Sequence, residues 1–202
     1  MKRKYQAVVW DFDGVILDSE EAAWHATNAV RAKHGLQPEV REIYRHRPTN
    51  RSWWHIDRGV PLGAGECQKL WREHYDDSLC SLVDGVLELL SHHQTEEIPC
   101  AIVSANDHSS INLKLEKFDL HDYFAYVSGG TWDKKERLSA VCRRFSIAPS
   151  NALFVGDLLS DLQDGKAAGL TTVLLAPADS PHAPEAHHHI THLEQLVPLL
   201  AL

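Results

Sequence analysis

The sequence predicts an α/β protein with a mainly parallel sheet and an all-helical insertion. Three observations predict it. Short apolar, β-branched runs recur along the chain and stop at Asp, Ser, Gly or Asn. Helical patterns fill the gaps between the later runs. Residues 16–82 break that rhythm, carrying helical stretches but no convincing strand. Continuous apolar runs of this length suit strands buried on both faces. Strands that alternate with helices point to a parallel sheet.

The first run, YQAVVW (5–10), ends on two aspartates one residue apart, Asp11 and Asp13. The insertion follows, with SEEAAWHATNAVRAKHG and AGECQKLWREHYDDSLC as its helical stretches. DGVLELLSHH (84–93) sets Val86, Leu89 and Leu90 on one face and leads into the run CAIVS (100–104). SINLKLEKF (110–118) repeats at helical spacing before FAYVS (124–128). KERLSAVCRRF (135–145) aligns Leu138, Val141, Cys142 and Phe145 in one stripe, and ALFVG (152–156) comes next. SDLQDGKAAGL (160–170) reads as a helix closed by Gly169, before TTVLL (171–175). APADSPHAPEA (176–186) is the clearest loop. The run His187, His188, His189 reads as a polar loop entering a final amphipathic helix that Pro198 interrupts. The organisation expected is a core of residues 1–15 and 83–202 with an insertion at 16–82.

Composition narrows the class. The chain has 202 residues, 44% hydrophobic and 24% charged, which is ordinary globular usage. A net charge of −8 disfavours nucleic acid or an anionic membrane as partner. Cys67, Cys80, Cys100 and Cys142 form no CxxC pair, so reduced thiols are expected rather than disulfides or a cysteine zinc site. The start MKRKYQAVVWDFDG lacks a signal h-region, and no apolar run approaches the ~20 residues of a membrane span. The expectation is a soluble, cytoplasmic protein, a monomer or weak dimer.

In open α/β sheets, ligands bind outside the carboxyl ends of the strands. Here those ends carry Asp11 and Asp13, Ser104 and Asn106, and Asp157 with Asp161. Lys134 and Lys135 open the helix after the third run. Asp11, Asp13 and Asp157 put three carboxylates in one place, too much negative charge without a cation, and oxygen ligands of this kind suit Mg²⁺. A carboxylate nucleophile, Mg²⁺, a hydroxyl and a lysine together describe phosphoryl transfer through an aspartyl-phosphate.

DFDGV (11–15), IVSAN (102–106), DKKERL (133–138) and VGDLLSD (155–161), in this order, resemble the four motifs of the haloacid dehalogenase-like hydrolase superfamily. SDLQDGKAAGLTTVLL (160–175) resembles the usual continuation of the fourth. The resemblance implies a Rossmann-like core with residues 16–82 as a helical cap, similar to that of phosphoglycolate phosphatase and β-phosphoglucomutase relatives. It implies Asp11 as nucleophile and Asp13 as general acid, then base. Mg²⁺ would be held by Asp11, the backbone carbonyl of Asp13, Asp157 and Asp161. Ser104 and a lysine would hold the phosphoryl oxygens. Lys134 is chosen by its register against the family's phosphatases, with Lys135 the alternative. Asn106 positions the phosphate or Asp11, or caps the next helix. RHRPTNRSWW (45–54) lies where relatives carry a specificity loop, making Arg47 a candidate substrate contact. Where relatives often place Pro-Gly after the cap, this chain has Val83-Asp84-Gly85. The dehalogenases lack an acid two residues after the nucleophile, so Asp13 implies phosphate esters.

The expected activity is Mg²⁺-dependent hydrolysis of a small phosphorylated metabolite. The alternatives are a sugar phosphomutase using the same steps and a non-catalytic phospholigand binder. The intact aspartate pair argues against the binder.

Overall fold

The computed structural model describes residues 3–45, 59–130 and 133–200. The chain divides into two compact units, residues 1–16 with 82–202 and residues 17–81.

The larger unit is built on a six-stranded parallel sheet, in the order β5-β4-β1-β6-β7-β8. Its strands are β1 (Ala7–Trp10), β4 (Cys100–Val103), β5 (Tyr126–Ser128), β6 (Ala152–Gly156), β7 (Thr171–Leu175) and β8 (His188–Ile190). All four residues of β1 are buried, as are those of β4 and all five of β6, which explains their unbroken apolar character. β1 is central. Its register sets Trp10 beside Ile102 on one flank and Val155 on the other. The chain runs outward from β1 to β4 and β5, then crosses back to β6, β7 and β8. That reversal beside β1 is a topological switch point, where open α/β sheets place their ligand crevice.

Helices α4 (Val86–Thr95), α5 (His108–Lys117), α6 (Lys135–Phe145) and α7 (Leu159–Ala167) connect the strands, and α8 (Val197–Leu200) closes the described chain. The stripe Leu138, Val141 and Cys142 of α6 packs on Val9, Ala101, Val103 and Phe154 of the sheet. The histidine run departs from expectation. It is no loop, because His188–Ile190 pairs in parallel with Val173–Leu175 as the last strand. Its polar residues suit an edge strand, which one neighbour alone covers.

The smaller unit holds α1 (Glu20–Lys33), α2 (Arg41–Arg45) and α3 (Ala64–His74). Val30, Val60 and Cys67 form its buried centre, with Leu36, Leu62, Leu70 and Trp71 against them. It is not wholly helical, since two-residue strands β2 (Leu17–Asp18) and β3 (Ser81–Leu82) pair where the chain enters and leaves.

Candidate active site

Asp11 is the first residue beyond β1. Its backbone N–H still bonds across the sheet to the carbonyl of Val155, at 2.8 Å. The chain then folds into a tight turn, and the Ile16 N–H reaches back to the Phe12 carbonyl at 2.9 Å. Gly14 makes the turn possible at φ +80°. A Cβ on Gly14 would also sit 2.7 Å from the Asp157 Cγ, so the glycine is the space the Asp157 carboxylate occupies.

The strand ends gather the predicted residues. Asp11, Asp157 and Asp161 each offer a carboxylate oxygen, all within 4.8 Å of one another. Lys134 lies between two of them, its Nζ 2.8 Å from Asp11 Oδ2 and 2.7 Å from Asp161 Oδ1. The other Asp11 oxygen accepts from the Phe12 N–H at 2.7 Å. Asp161 is fixed from its own helix as well, since its Oδ2 accepts from the Leu158 N–H at the start of α7. Asp13 accepts a hydrogen bond from Asn106 Nδ2 at 2.9 Å. Ser104 is buried at the end of β4, its N–H bonded to the Ser128 carbonyl and its Oγ accepting from the Asn106 N–H.

The two lysines separate clearly. Lys134 is buried and Lys135 exposed. Lys134 stands four residues before Leu138, so it extends the buried stripe of α6 by one turn, and the Leu138 N–H bonds to its carbonyl at 2.9 Å. That periodicity was available to distinguish the lysines in the sequence. Asp164, unremarked in the sequence, accepts from the Lys134 N–H at 3.0 Å and ties α7 to the start of α6. No spacing rule signals that bond. Arg47 lies outside the described residues.

Burial dominates the electrostatics. Asp11 is pushed up from the ordinary carboxylate range to about 7, first by burial, with Lys134 pulling down and Asp161 and Asp13 pushing up. Burial works against the charge on Lys134, yet Asp11 and Asp161 outweigh it and hold the ammonium above its usual value. Three carboxylates against one ammonium leave an excess of negative charge in a buried place. An all-oxygen donor set with that excess fits Mg²⁺, and Asp11, Asp157 and Asp161 are the residues that would hold it.

The comparisons with known proteins agree with this architecture. A phosphoglycolate phosphatase of Synechococcus elongatus is 27% identical over 179 residues, covering 83% of this chain and 82% of its own. An N-acetylmuramic acid 6-phosphate phosphatase of Pseudomonas aeruginosa is 27% identical over 219 residues, covering 99% and 97%. Among solved structures, a haloacid dehalogenase-like family hydrolase from Streptococcus pneumoniae superposes with a TM-score of 0.81 at 15% identity, covering 96% and 98%. A HAD-superfamily hydrolase from Geobacter sulfurreducens gives 0.70 at 25% identity, covering 98% and 97%. The chain is thus an enzyme of the phosphatase class, a hydrolase of phosphoric monoesters. Residues 8–175 match the model of the haloacid dehalogenase-like hydrolases, and the chain belongs to that family.

Proposed function

We propose that the protein is a Mg²⁺-dependent, cytoplasmic phosphatase that hydrolyses a small phosphomonoester through a phosphorylated Asp11. The observation that carries the reading is the cluster of Asp11, Asp157 and Asp161 around the Lys134 ammonium. Bound by those carboxylates and the Asp13 carbonyl, Mg²⁺ would supply charge neutralisation and polarisation of the phosphoryl oxygens. Asp11 attacks phosphorus, forming a carboxyl O–P bond as the ester O–P bond breaks. Asp13 gives its proton to the departing alcohol, then takes one from the water that cleaves the aspartyl-phosphate. Lys134 orients Asp11 and faces the phosphoryl oxygens, together with the Ser104 hydroxyl. Residues 16–82 are the cap, and Arg47 within them contacts the body of the substrate. The two relatives named above carry different substrates in their names, and this reading assigns substrate choice to the cap.

Phosphate release from p-nitrophenyl phosphate, phosphoglycolate, sugar phosphates and nucleotides tests the reading, with Mg²⁺ and with EDTA. Turnover is expected in Mg²⁺ and absent in EDTA. Asp11→Asn is expected to lower kcat by about 10⁴-fold or more with its melting curve retained. Turnover in EDTA would remove the metal from the reading. An active Asp11→Asn would remove the nucleophile.

A further inference from the structure

The loop after β4 is fixed on two sides before its side chains are considered. The Asn106 N–H donates to Ser104 Oγ at 3.2 Å, and its carbonyl accepts from the Gly130 N–H at 2.7 Å. Gly129 permits this approach, because a Cβ there would lie 2.6 Å from the Asn106 carbonyl oxygen and 2.8 Å from the His108 nitrogen. One residue on, the Asp107 side chain accepts from the Ser110 N–H at 2.9 Å and starts α5. Asp107 therefore takes the capping role that was one expectation for Asn106. Asn106 is left with its amide aimed back at the end of β1, where Nδ2 donates to Asp13 Oδ2 across 93 positions of sequence.

We propose that Asn106 is a positioning residue for Asp13, holding its carboxyl plane through Oδ2 and leaving Oδ1 as the oxygen that serves proton transfer. The proposal rests on the reading of Asp13 as acid and base. An amide N–H needs a lone pair, and the carbonyl oxygen of a carboxylic acid accepts better than its hydroxyl oxygen. With Oδ2 engaged by Asn106, Oδ1 is the oxygen left to exchange a proton with the leaving group and then with water. In the first half-reaction the Oδ1–H bond breaks and the alcohol O–H forms, as the ester O–P bond breaks and the Asp11 carboxyl O–P bond forms. In the second, Oδ1 takes a proton from water as the water oxygen bonds to phosphorus and the Asp11 carboxyl O–P bond breaks. The sum is ester plus water giving alcohol plus phosphate, with no further reactant. Asn106 also holds the carboxyl plane of Asp13, so Oδ1 need not be found by rotation.

The test separates this role from a direct grip on phosphate. A p-nitrophenolate leaves without needing a proton, whereas an alkoxide does not. Asn106→Ala is therefore expected to lower kcat/KM about 10- to 100-fold for an alkyl phosphate but under about threefold for p-nitrophenyl phosphate. The inhibition constant of inorganic phosphate is expected to stay within about threefold, since the amide acts through Asp13. Asn106→Leu keeps the approximate size and removes the donor without adding a charge. It should show the same selective loss, and it decides the matter if the alanine variant does not fold. Equal loss on both substrates, or a weakened inhibition by phosphate, would overturn the role and make Asn106 a phosphate ligand. A wild-type enzyme inactive on both substrates in Mg²⁺ would overturn the phosphatase mechanism itself, and this role with it.

Discussion

The sheet unit and the inserted unit each bury a carboxylate beside a cation, and they do so differently. At the ends of β1 and β6, Asp11, Asp157 and Asp161 crowd within 4.8 Å, with Lys134 bridging Asp11 and Asp161. In the insertion, Glu39 faces Arg31 at 3.6 Å. The surroundings of Glu39 are hydrogen-bonded too. Trp24 Nε1 donates to the Glu39 carbonyl at 3.2 Å, Asn28 Oδ1 accepts from the Glu39 N–H at 2.7 Å, and Arg31 Nε donates to the Gln37 carbonyl at 2.8 Å. Residues 24, 28 and 31 share one face of α1, so the helix fastens the segment that follows it. A buried unbalanced charge is costly, whereas a balanced, hydrogen-bonded pair holds structure together. Under the proposed function, the excess at the strand ends is what a cation and a phosphate would complete. The pair in the insertion is architecture.

That contrast makes Lys134 the most sensitive test. Lys134→Ala is expected to lower kcat/KM by about 10²- to 10³-fold, because the proposed function makes it a fixed charge facing the phosphoryl oxygens. Lys135→Ala, one residue away on an exposed side chain, is expected to stay within about twofold. Steady-state kinetics of both variants on p-nitrophenyl phosphate decides. Equal losses would mean that the buried position of Lys134 is structural, and the contrast between the units would fail.

A smaller effect tests whether every buried titratable group of the sheet unit belongs to the site. His93 of α4 does not. It is 1% exposed, and its Nδ1 lies 3.3 Å from Cys100 Sγ and its ring 5.7 Å from that of Trp10. Burial, with a smaller push from His92, lowers it to about 4. The folded protein thus keeps His93 neutral where the unfolded chain, titrating near 6.5, already binds a proton. Its stabilising contribution is full above about pH 6.5 and is lost as the pH falls through 4, a change of about 3 kcal/mol. Urea unfolding at pH 7 and pH 4.5 is expected to show a steeper loss for wild type than for His93→Gln. Parallel losses would sink this assignment.

How much of this was legible follows from the same physics. The strand-end motifs could be read because the sheet is buried on both faces, so each apolar run has to stop where Asp11, Ser104 or Asp157 begins. The bond from Asn106 to Asp13 could not be read, because it depends on two loops packing across the switch point rather than on any spacing. Strand β8 was hidden for a different reason. With His188 and His189 at a sheet edge, its polarity looked like a loop, and its pairing with β7 is visible only in three dimensions. The insertion yielded its helices α1 and α3 to periodicity but not the stripe of Trp24, Asn28 and Arg31, whose partners are backbone groups without a sequence signature.

The smallest expected effect is in that stripe, and it tests the other side of the comparison. Asn28→Ala removes the acceptor of the Glu39 N–H and leaves that donor without its partner. A loss of about 1 kcal/mol is expected, near the usual net worth of one hydrogen bond with some added penalty for desolvation. Thermal melting should therefore move by about 2–4 °C for a chain of this length. Hydrogen exchange at Glu39 should speed up, while amides of β1 and β6 keep their wild-type protection, since the stripe belongs to the insertion alone. Turnover of p-nitrophenyl phosphate is expected to stay within about twofold, because no group at the strand ends has changed. A fall in kcat comparable to that of Lys134→Ala, at unchanged stability, would show that this pair contributes to chemistry and is more than architecture.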